Sequence, residues 1–177
     1  LLQEPDLTVL RYDLYGRGLS DAPSVNHTAE VFTTQLFELL NRLNFVQQDG
    51  SHPDVKISVA GHSMGGGICV AFSETYPQIV DQLILLTPAA VPFSVPFGFG
   101  LLKIPKIGGW IFSAMTSGGH EDMINQGFFD INASQEGIQW DVKWRSEMTS
   151  KQLSEAFTNS VRHFPLQGLS NAVNTIG

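Results

Sequence analysis

One short run of residues combines a nucleophile with a backbone that could activate it. Gly61, His62, Ser63, Met64 and Gly65 form a Gly-x-Ser-x-Gly motif. Such a motif predicts a sharp strand-to-helix turn that presents the Ser63 hydroxyl for attack on a carbonyl carbon. The backbone N–H of Met64, in the first turn of the helix, is then placed to stabilise an oxyanion. We expect Gly61 and Gly65 to flank the serine because any side chain there would collide with the neighbouring backbone. The alternative interpretation is a glycine-rich turn that contains an ordinary serine.

Such a turn needs a buried strand before it and a helix after it, and the sequence predicts both. Residues 55–60 are a short, mostly apolar and β-branched run, as expected of a buried parallel strand. Residues at helical spacing follow, and then a proline where the helix should end: Ile68, Ala71, Phe72, Thr75 and Pro77. The single cysteine, Cys69, falls on the inward face of this helix, which favours packing over redox chemistry.

A second glycine-rich loop lies upstream of the serine. Residues 8–12 alternate as in a strand, and Asp13, Gly16, Gly18 and Ser20 follow in an Asp-x-x-Gly-x-Gly-x-Ser pattern. We expect the Asp13 carboxylate to accept backbone N–H groups of the loop, and the two glycines to adopt positive φ angles. The loop alone would be weak support for any function, but both motifs in this order and spacing are strong support.

With both motifs present, the chain resembles the α/β-hydrolase fold family, strongly over residues 7–91 and weakly beyond. The resemblance implies a partial α/β-hydrolase fold, in which helices flank a parallel sheet and the Asp13–Ser20 loop borders the active site. It also implies three parts: the N-terminal part of the core (1–91), a helical cap (92–165) and a return connection (166–177). In this family the order is serine, then acid, then histidine. We therefore expect the acid and the histidine to follow Gly177, and the chain to be a fragment that is inactive alone.

The remaining pattern predicts the elements around the serine turn. Residues 28–45 predict an amphipathic helix that Asn26 or Thr28 could cap, with its apolar face formed by Ala29, Phe32, Leu36, Leu39, Leu40 and Leu43. Residues 80–90 predict another buried strand. Alternation of strands and helices at this spacing predicts right-handed crossovers and a parallel sheet that binds ligands at its carboxyl edge.

The chain changes character after residue 91. Residues 91–115 are apolar, but prolines together with Lys103 and Lys106 interrupt them, so no transmembrane segment is predicted. Helices are predicted at 121–129, 138–147 and 151–164, and the last is clearly amphipathic. We expect the phenylalanine-rich run to form the core of the cap rather than to contact an acyl chain directly.

Four histidines, His27, His62, His120 and His163, do not stand where the resemblance places a catalytic base. His62 adjoins Ser63, but an adjacent ring cannot easily reach the serine oxygen. His27 lies near the start of the first helix and is expected to be solvated, while His120 and His163 fall in the cap. The sequence also lacks the spacing of a metal site and of a phosphate-binding loop, so we expect neither a cofactor nor a metal.

Composition and motifs together favour a serine hydrolase. The formal net charge of −7 argues against a nucleic-acid partner. The resemblance implies cleavage of an ester or amide through an acyl-Ser63 intermediate, by a lipase or esterase or by a peptidase similar to proline iminopeptidases. The expected partner is a small acyl substrate, with a lipid-like acyl group as one option. A serine at position 63 disfavours dehalogenases and epoxide hydrolases, which use a carboxylate. The alternative is a non-catalytic protein, either a truncated product or a ligand-binding receptor, and the sequence does not indicate a compartment.

Overall fold

The computed structural model describes residues 8–47, 57–90, 99–116, 139, 150–169 and 172–173. Its sheet, within those residues, consists of strands β1 (Ile57–His62) and β2 (Val80–Leu86). The two strands pair in parallel along their whole length. Parallel strands need a crossover connection, and helix α2 (Met64–Thr75) supplies it. The α/β class and the parallel sheet predicted from the sequence are therefore confirmed.

Helix α1 (Ala29–Arg42) packs against α2. Of the two candidate caps, Thr28 is the one that acts, since its hydroxyl accepts the Val31 N–H at 3.3 Å. The predicted inward residues Phe32, Leu36 and Leu40 are buried. The prediction that Leu43 is buried is wrong: its side chain is 44% exposed, because the helix ends one residue earlier.

The main core lies between α1, α2 and the sheet. It consists of Leu36, Leu40, Val46, Val59, Cys69, Phe72 and Ile79. Helix α2 is buried almost all round, which matches its nearly uniform apolar sequence. Full burial of a side chain such as Phe72 stabilises the fold by about 1.5–3 kcal/mol. The helix that begins at Met64 is therefore held firmly by the core.

The strand predicted at 8–12 is wrong, because residues 8–14 have no regular secondary structure. A strand requires a hydrogen-bonded neighbour, and no described strand pairs with this segment. Its apolar side chains are open to solvent, with Val9 67% and Leu10 41% exposed. The strand predicted at 80–90 is shorter than expected, since β2 ends at Leu86.

Beyond the sheet, the described chain is helical. A 3₁₀ helix (Phe99–Lys103) precedes α3 (Ile107–Thr116), and α4 (Ser150–His163) comes later. Helix α4 confirms the helix predicted at 151–164, whereas α3 was missed because its two consecutive glycines disfavour a helix. The helices predicted at 121–129 and 138–147 lie outside the described residues, apart from residue 139. No helix in the described part of the chain is both long and apolar enough to cross a membrane.

The 3₁₀ helix, α3 and α4 share a small core of their own. Leu102, Phe112 and Val161 are buried in it. Phe112 stacks on Phe157 of α4, with ring centroids 4.3 Å apart. Core packing is therefore confirmed for Phe99 and Phe112 of the phenylalanine-rich run. Phe93 and Phe97 lie outside the described residues, and the assignment of this region to a cap stays a prediction.

Candidate active site

Ser63 lies at the turn between β1 and α2 in a backbone conformation that L-residues rarely adopt. Its φ is 52° and its ψ is −121°, and a conformation of this kind costs on the order of 1–3 kcal/mol. Backbone hydrogen bonds hold the turn in place. The Ser63 N–H donates to the Leu86 carbonyl at 3.0 Å, and the Ser63 carbonyl accepts from Gly67 and Ala89 at 3.2 and 2.8 Å. The end of β2 and the start of α2 together maintain the strain.

The Ser63 side chain is exposed and does not cap α2, although serine is a favoured N-cap residue. Met64 begins the helix directly beside it. The first N–H groups of a helix have no acceptor within the helix, and the helix dipole makes that end positive. An exposed hydroxyl and an N–H with positive potential are therefore adjacent, which is the arrangement that attack on a carbonyl requires.

The two glycines of the serine motif differ in their steric role. A Cβ at Gly61 would overlap the carbonyl of Gly65, so the prediction for Gly61 is confirmed. A Cβ at Gly65 would meet nothing within 4 Å, so the collision predicted there is wrong. The close approach involves the Gly65 carbonyl and not the space where a Gly65 side chain would point.

Sequence reasoning missed the two glycines that follow. A Cβ at Gly66 would lie 2.7 Å from the Pro88 Cβ, and one at Gly67 would lie 2.6 Å from the Ala89 carbonyl oxygen. These two positions let the segment after β2 pack directly on α2. The signal was present in the sequence, because three consecutive glycines at a helix start are costly without a packing reason.

The Asp13 loop has the geometry predicted for it. Asp13 Oδ2 accepts the Leu19 N–H at 3.1 Å, and the Ser20 hydroxyl donates to the Asp13 carbonyl at 2.6 Å. Gly16 and Gly18 adopt φ angles of 75° and 53°. A Cβ at Gly18 would also overlap the Asp13 carboxylate, so that position needs glycine for two reasons.

Gln35 of α1 fixes the same loop, a role that the sequence analysis missed. Its amide nitrogen donates to the Asp13 carbonyl at 3.1 Å, and its amide oxygen accepts the Tyr15 N–H at 3.2 Å. The side chain is buried, so removal of either partner would leave a buried polar group unsatisfied. A polar residue inside an otherwise apolar helix face was the available signal.

The expectation that His27 is solvated is wrong, since the residue is only 3% exposed. Its Nδ1 lies 3.1 Å from the Ser160 hydroxyl, and its backbone N–H donates to the Asn159 side-chain oxygen at 2.9 Å. Burial, with the nearby Arg17 guanidinium, lowers the pKa of His27. Helix α4 covers His27, and local sequence gives no sign of a contact so distant along the chain.

The described residues supply no activating partner for the serine. No hydrogen bond from a described histidine or carboxylate reaches the Ser63 hydroxyl. His62 and His163 are exposed, and His52 and His120 lie outside the described residues. In the part of the chain that the structure describes, no cluster of His, Cys, Asp and Glu is suited to hold a metal ion.

Two grooves of the described structure lie away from Ser63. One of about 710 Å³ lies between the 22–27 segment and helices α3 and α4, and Trp110 and His163 are among its walls. Another of about 300 Å³ lies between α1 and α2. Ser63 is exposed and lines neither of these two grooves.

The arrangement of these elements matches a known fold. The crystal structure of wild-type Cfl2 from Burkholderia cenocepacia superimposes with a TM-score of 0.59, over 93% of this chain and 56% of that chain. The two sequences are 18% identical, so this likeness concerns the fold alone. The architecture is that of a partial α/β-hydrolase fold.

The chain belongs to the α/β-hydrolase family described as serine aminopeptidase, S33, whose family model matches residues 1–135. An uncharacterised protein of Mycobacterium tuberculosis is 32% identical over 98 residues, which are 55% of this chain and 26% of that protein. Monoglyceride lipase of Rattus norvegicus is 31% identical over 88 residues, or 50% of this chain and 28% of the lipase. The chain spans about a quarter of the length of these curated relatives.

Proposed function

We propose that the protein is a serine hydrolase that cleaves an ester or amide through an acyl-Ser63 intermediate. The Ser63 oxygen attacks the substrate carbonyl carbon, and the Met64 N–H binds the oxyanion that forms. Collapse of this intermediate releases the alcohol or amine, and water then releases the acid from the serine. The observation that carries the proposal is the φ of 52° at the exposed Ser63, because strain of this kind persists mainly where it serves a site.

The serine still needs a base, since a neutral hydroxyl is a weak nucleophile. We infer that the activating histidine and its acid come from residues outside this sequence. The support is geometric for the three histidines that the structure describes: His27 is buried against Ser160, and His62 and His163 are exposed with no hydrogen bond to the Ser63 hydroxyl. His52 and His120 lie outside the described residues. Loss of the base removes most of the catalytic power of such a serine, so the 177-residue chain by itself is expected to be inactive.

The proposed substrate is a small acyl ester with a lipid-like chain. The similarity to rat monoglyceride lipase supports an ester. Residues 92–165 would form the cap over the core of 1–91, and 166–177 would lead back toward it. The family description, serine aminopeptidase, supports cleavage of an aminoacyl amide as a second candidate.

A fluorophosphonate probe on the full-length protein tests the nucleophile. We expect the probe to label the wild type and not Ser63→Ala. Ser58→Ala is the matched control, because Ser58 is exposed on the strand that leads to Ser63, and it should label as the wild type does. Labelling that persists in Ser63→Ala would refute the proposal. A folded wild type that is never labelled would favour the non-catalytic alternative.

The same protein then separates the two substrate classes. Monoacyl esters of increasing chain length and aminoacyl amides would be compared by kcat/KM. Preference for the esters supports the lipase-like candidate, and preference for the amides supports the peptidase. Both activities should disappear in Ser63→Ala, because the two reactions share the acyl-serine step.

A further inference from the structure

The Arg17 guanidinium lies where three elements meet: the Asp13 loop, the start of α2, and α4. One terminal nitrogen donates to the Ser160 hydroxyl of α4 at 2.9 Å, and the other donates to the Tyr15 carbonyl at 3.2 Å. The first nitrogen also lies 4.0 Å from the Met64 sulfur. The guanidinium carbon lies 5.8 Å from the centre of the Phe32 ring. A single side chain thus joins the Asp13 loop, the helix that begins beside Ser63, and α4.

The charge of Arg17 is costly in this place. Burial lowers the pKa of the guanidinium to about 10, so it stays charged at neutral pH, and no carboxylate of the described residues pairs with it. A buried charge is tolerated only when its donors find partners. An apolar side chain of similar length would fill the same space without the desolvation cost of a charge, so packing alone does not account for an arginine at this position.

Ser160 is the point where α4 meets the loop. Its hydroxyl accepts from Arg17 and donates to the Ala156 carbonyl at 3.0 Å, and the His27 Nδ1 lies 3.1 Å from the same oxygen. A hydroxyl has one proton and two lone pairs. All three contacts are satisfied together when neutral His27 carries its proton on Nδ1. The network therefore favours one position of α4 against the loop.

Close contacts with the loop and with α2 also hold α4 in that position. A Cβ at Gly16 would lie 2.9 Å from the Ala156 Cβ, so α4 rests directly on the loop backbone. Phe164, which follows α4, packs against α2, where a Cβ at Gly67 would lie 2.9 Å from its ring. Helix α4 is thus in contact with the loop, and Phe164, which directly follows it, is in contact with the helix that presents the oxyanion N–H.

We propose that Arg17 is a positioning residue that sets α4 against the start of α2, and so shapes the surface on which the acyl chain of the substrate lies. The proposal rests on the proposed function, in which Met64 and Ser63 carry out the chemistry. Arg17 acts through Ser160 and touches no reacting atom. Substrates with an acyl chain long enough to reach α4 should depend on Arg17, and acetyl substrates should not.

The test compares acetyl and decanoyl nitrophenyl esters on the full-length protein. Arg17→Met and Ser160→Ala should each lower kcat/KM for the decanoyl ester by about tenfold, the size expected for one hydrogen bond from a charged donor. The loss should fall mainly on KM, and the acetyl ester should change by less than about twofold. The double variant should be no worse than either single variant, because both remove the same contact.

Two further variants sharpen the comparison. Arg17→Lys keeps the charge but loses the planar fork, so it should rescue only part of the decanoyl activity. Arg42→Met is the matched control, since Arg42 is exposed at the end of α1, and it should behave as the wild type. Equal losses on both esters, or no loss on either, would overturn the proposal. If Arg17→Met does not fold, Ser160→Ala decides the question.

Amide hydrogen exchange distinguishes failure of this proposal from failure of the proposed function. Arg17→Met and Ser160→Ala should accelerate exchange across 150–163 and leave β1 and β2 unchanged. Unchanged exchange in α4 would refute the positioning role whatever the activity. Absence of fluorophosphonate labelling would instead refute the hydrolase assignment, and accelerated exchange would still support Arg17 as the residue that positions α4.

Discussion

Alanine substitutions at Gly65 and Gly67 should have opposite effects, although both glycines lie early in α2. Glycine gives the unfolded chain more conformational entropy than alanine does. Each substitution therefore favours the folded helix by up to about 1 kcal/mol. At Gly65 the new methyl group meets nothing within 4 Å. At Gly67 it would lie 2.6 Å from the Ala89 carbonyl oxygen and 2.9 Å from the Phe164 ring. That carbonyl cannot retreat easily, because the Ala89 N–H is bonded to the Ser63 carbonyl at 2.8 Å.

The magnitude follows from the difference between the two variants. The entropic stabilisation is common to both variants and cancels when their free energies of unfolding are compared. The difference between them therefore measures the overpacking at Gly67, which typically costs about 1–3 kcal/mol. Urea unfolding of the full-length protein, followed by tryptophan fluorescence with m-values compared, measures it. Gly65→Ala should be at least as stable as the wild type, and Gly67→Ala should unfold at lower urea. Equal stability of the two variants would refute the close packing of Ala89 and Phe164 on α2.

Two buried titratable groups give further predictions. The pKa of His27 is lowered in the folded state, so the unfolded chain binds more protons below about pH 6.5. The free energy of unfolding should therefore fall as the pH drops through that region. In urea unfolding, His27→Gln should depend less steeply on pH than the wild type, and the same pH dependence in both would contradict this. Burial raises the pKa of Cys69 to about 11 from 9.0, which leaves about a hundredfold less thiolate at pH 8. Alkylation of the native protein by iodoacetamide, read by mass spectrometry against a Cys69→Ala control, should be slower than in urea by at least that factor, and equal rates would show that the thiol is accessible.

The features predicted correctly from the sequence are those that depend on neighbouring residues. The strand–turn–helix around Ser63, the positive φ angles of Gly16 and Gly18, and the Asp13 contact with Leu19 all involve groups within a few positions of one another. Their geometry follows from local sterics and from short hydrogen-bonded rings. The roles of Ser63 and Met64 in catalysis remain predictions that the fluorophosphonate experiment addresses.

Failures arose where the outcome depends on a distant partner. The 8–12 segment alternates like a strand but has no described neighbour to pair with. Gly65 was predicted to be crowded, but the crowding falls on Gly66 and Gly67, which face the segment after β2. Hydrophobic pattern and glycine content report what a segment prefers, and they do not report which other segment packs on it.

The sequence by itself therefore determined the Asp13–Ser20 loop and the turn at Ser63, because both depend on local backbone preferences. Only the tertiary structure decided how α4 is placed on them. The contact between Arg17 and Ser160 joins residues 143 positions apart, and the burial of His27 depends on the same helix. Contacts at such separations are set by the packing of whole elements, so the identity of a residue does not reveal its partner.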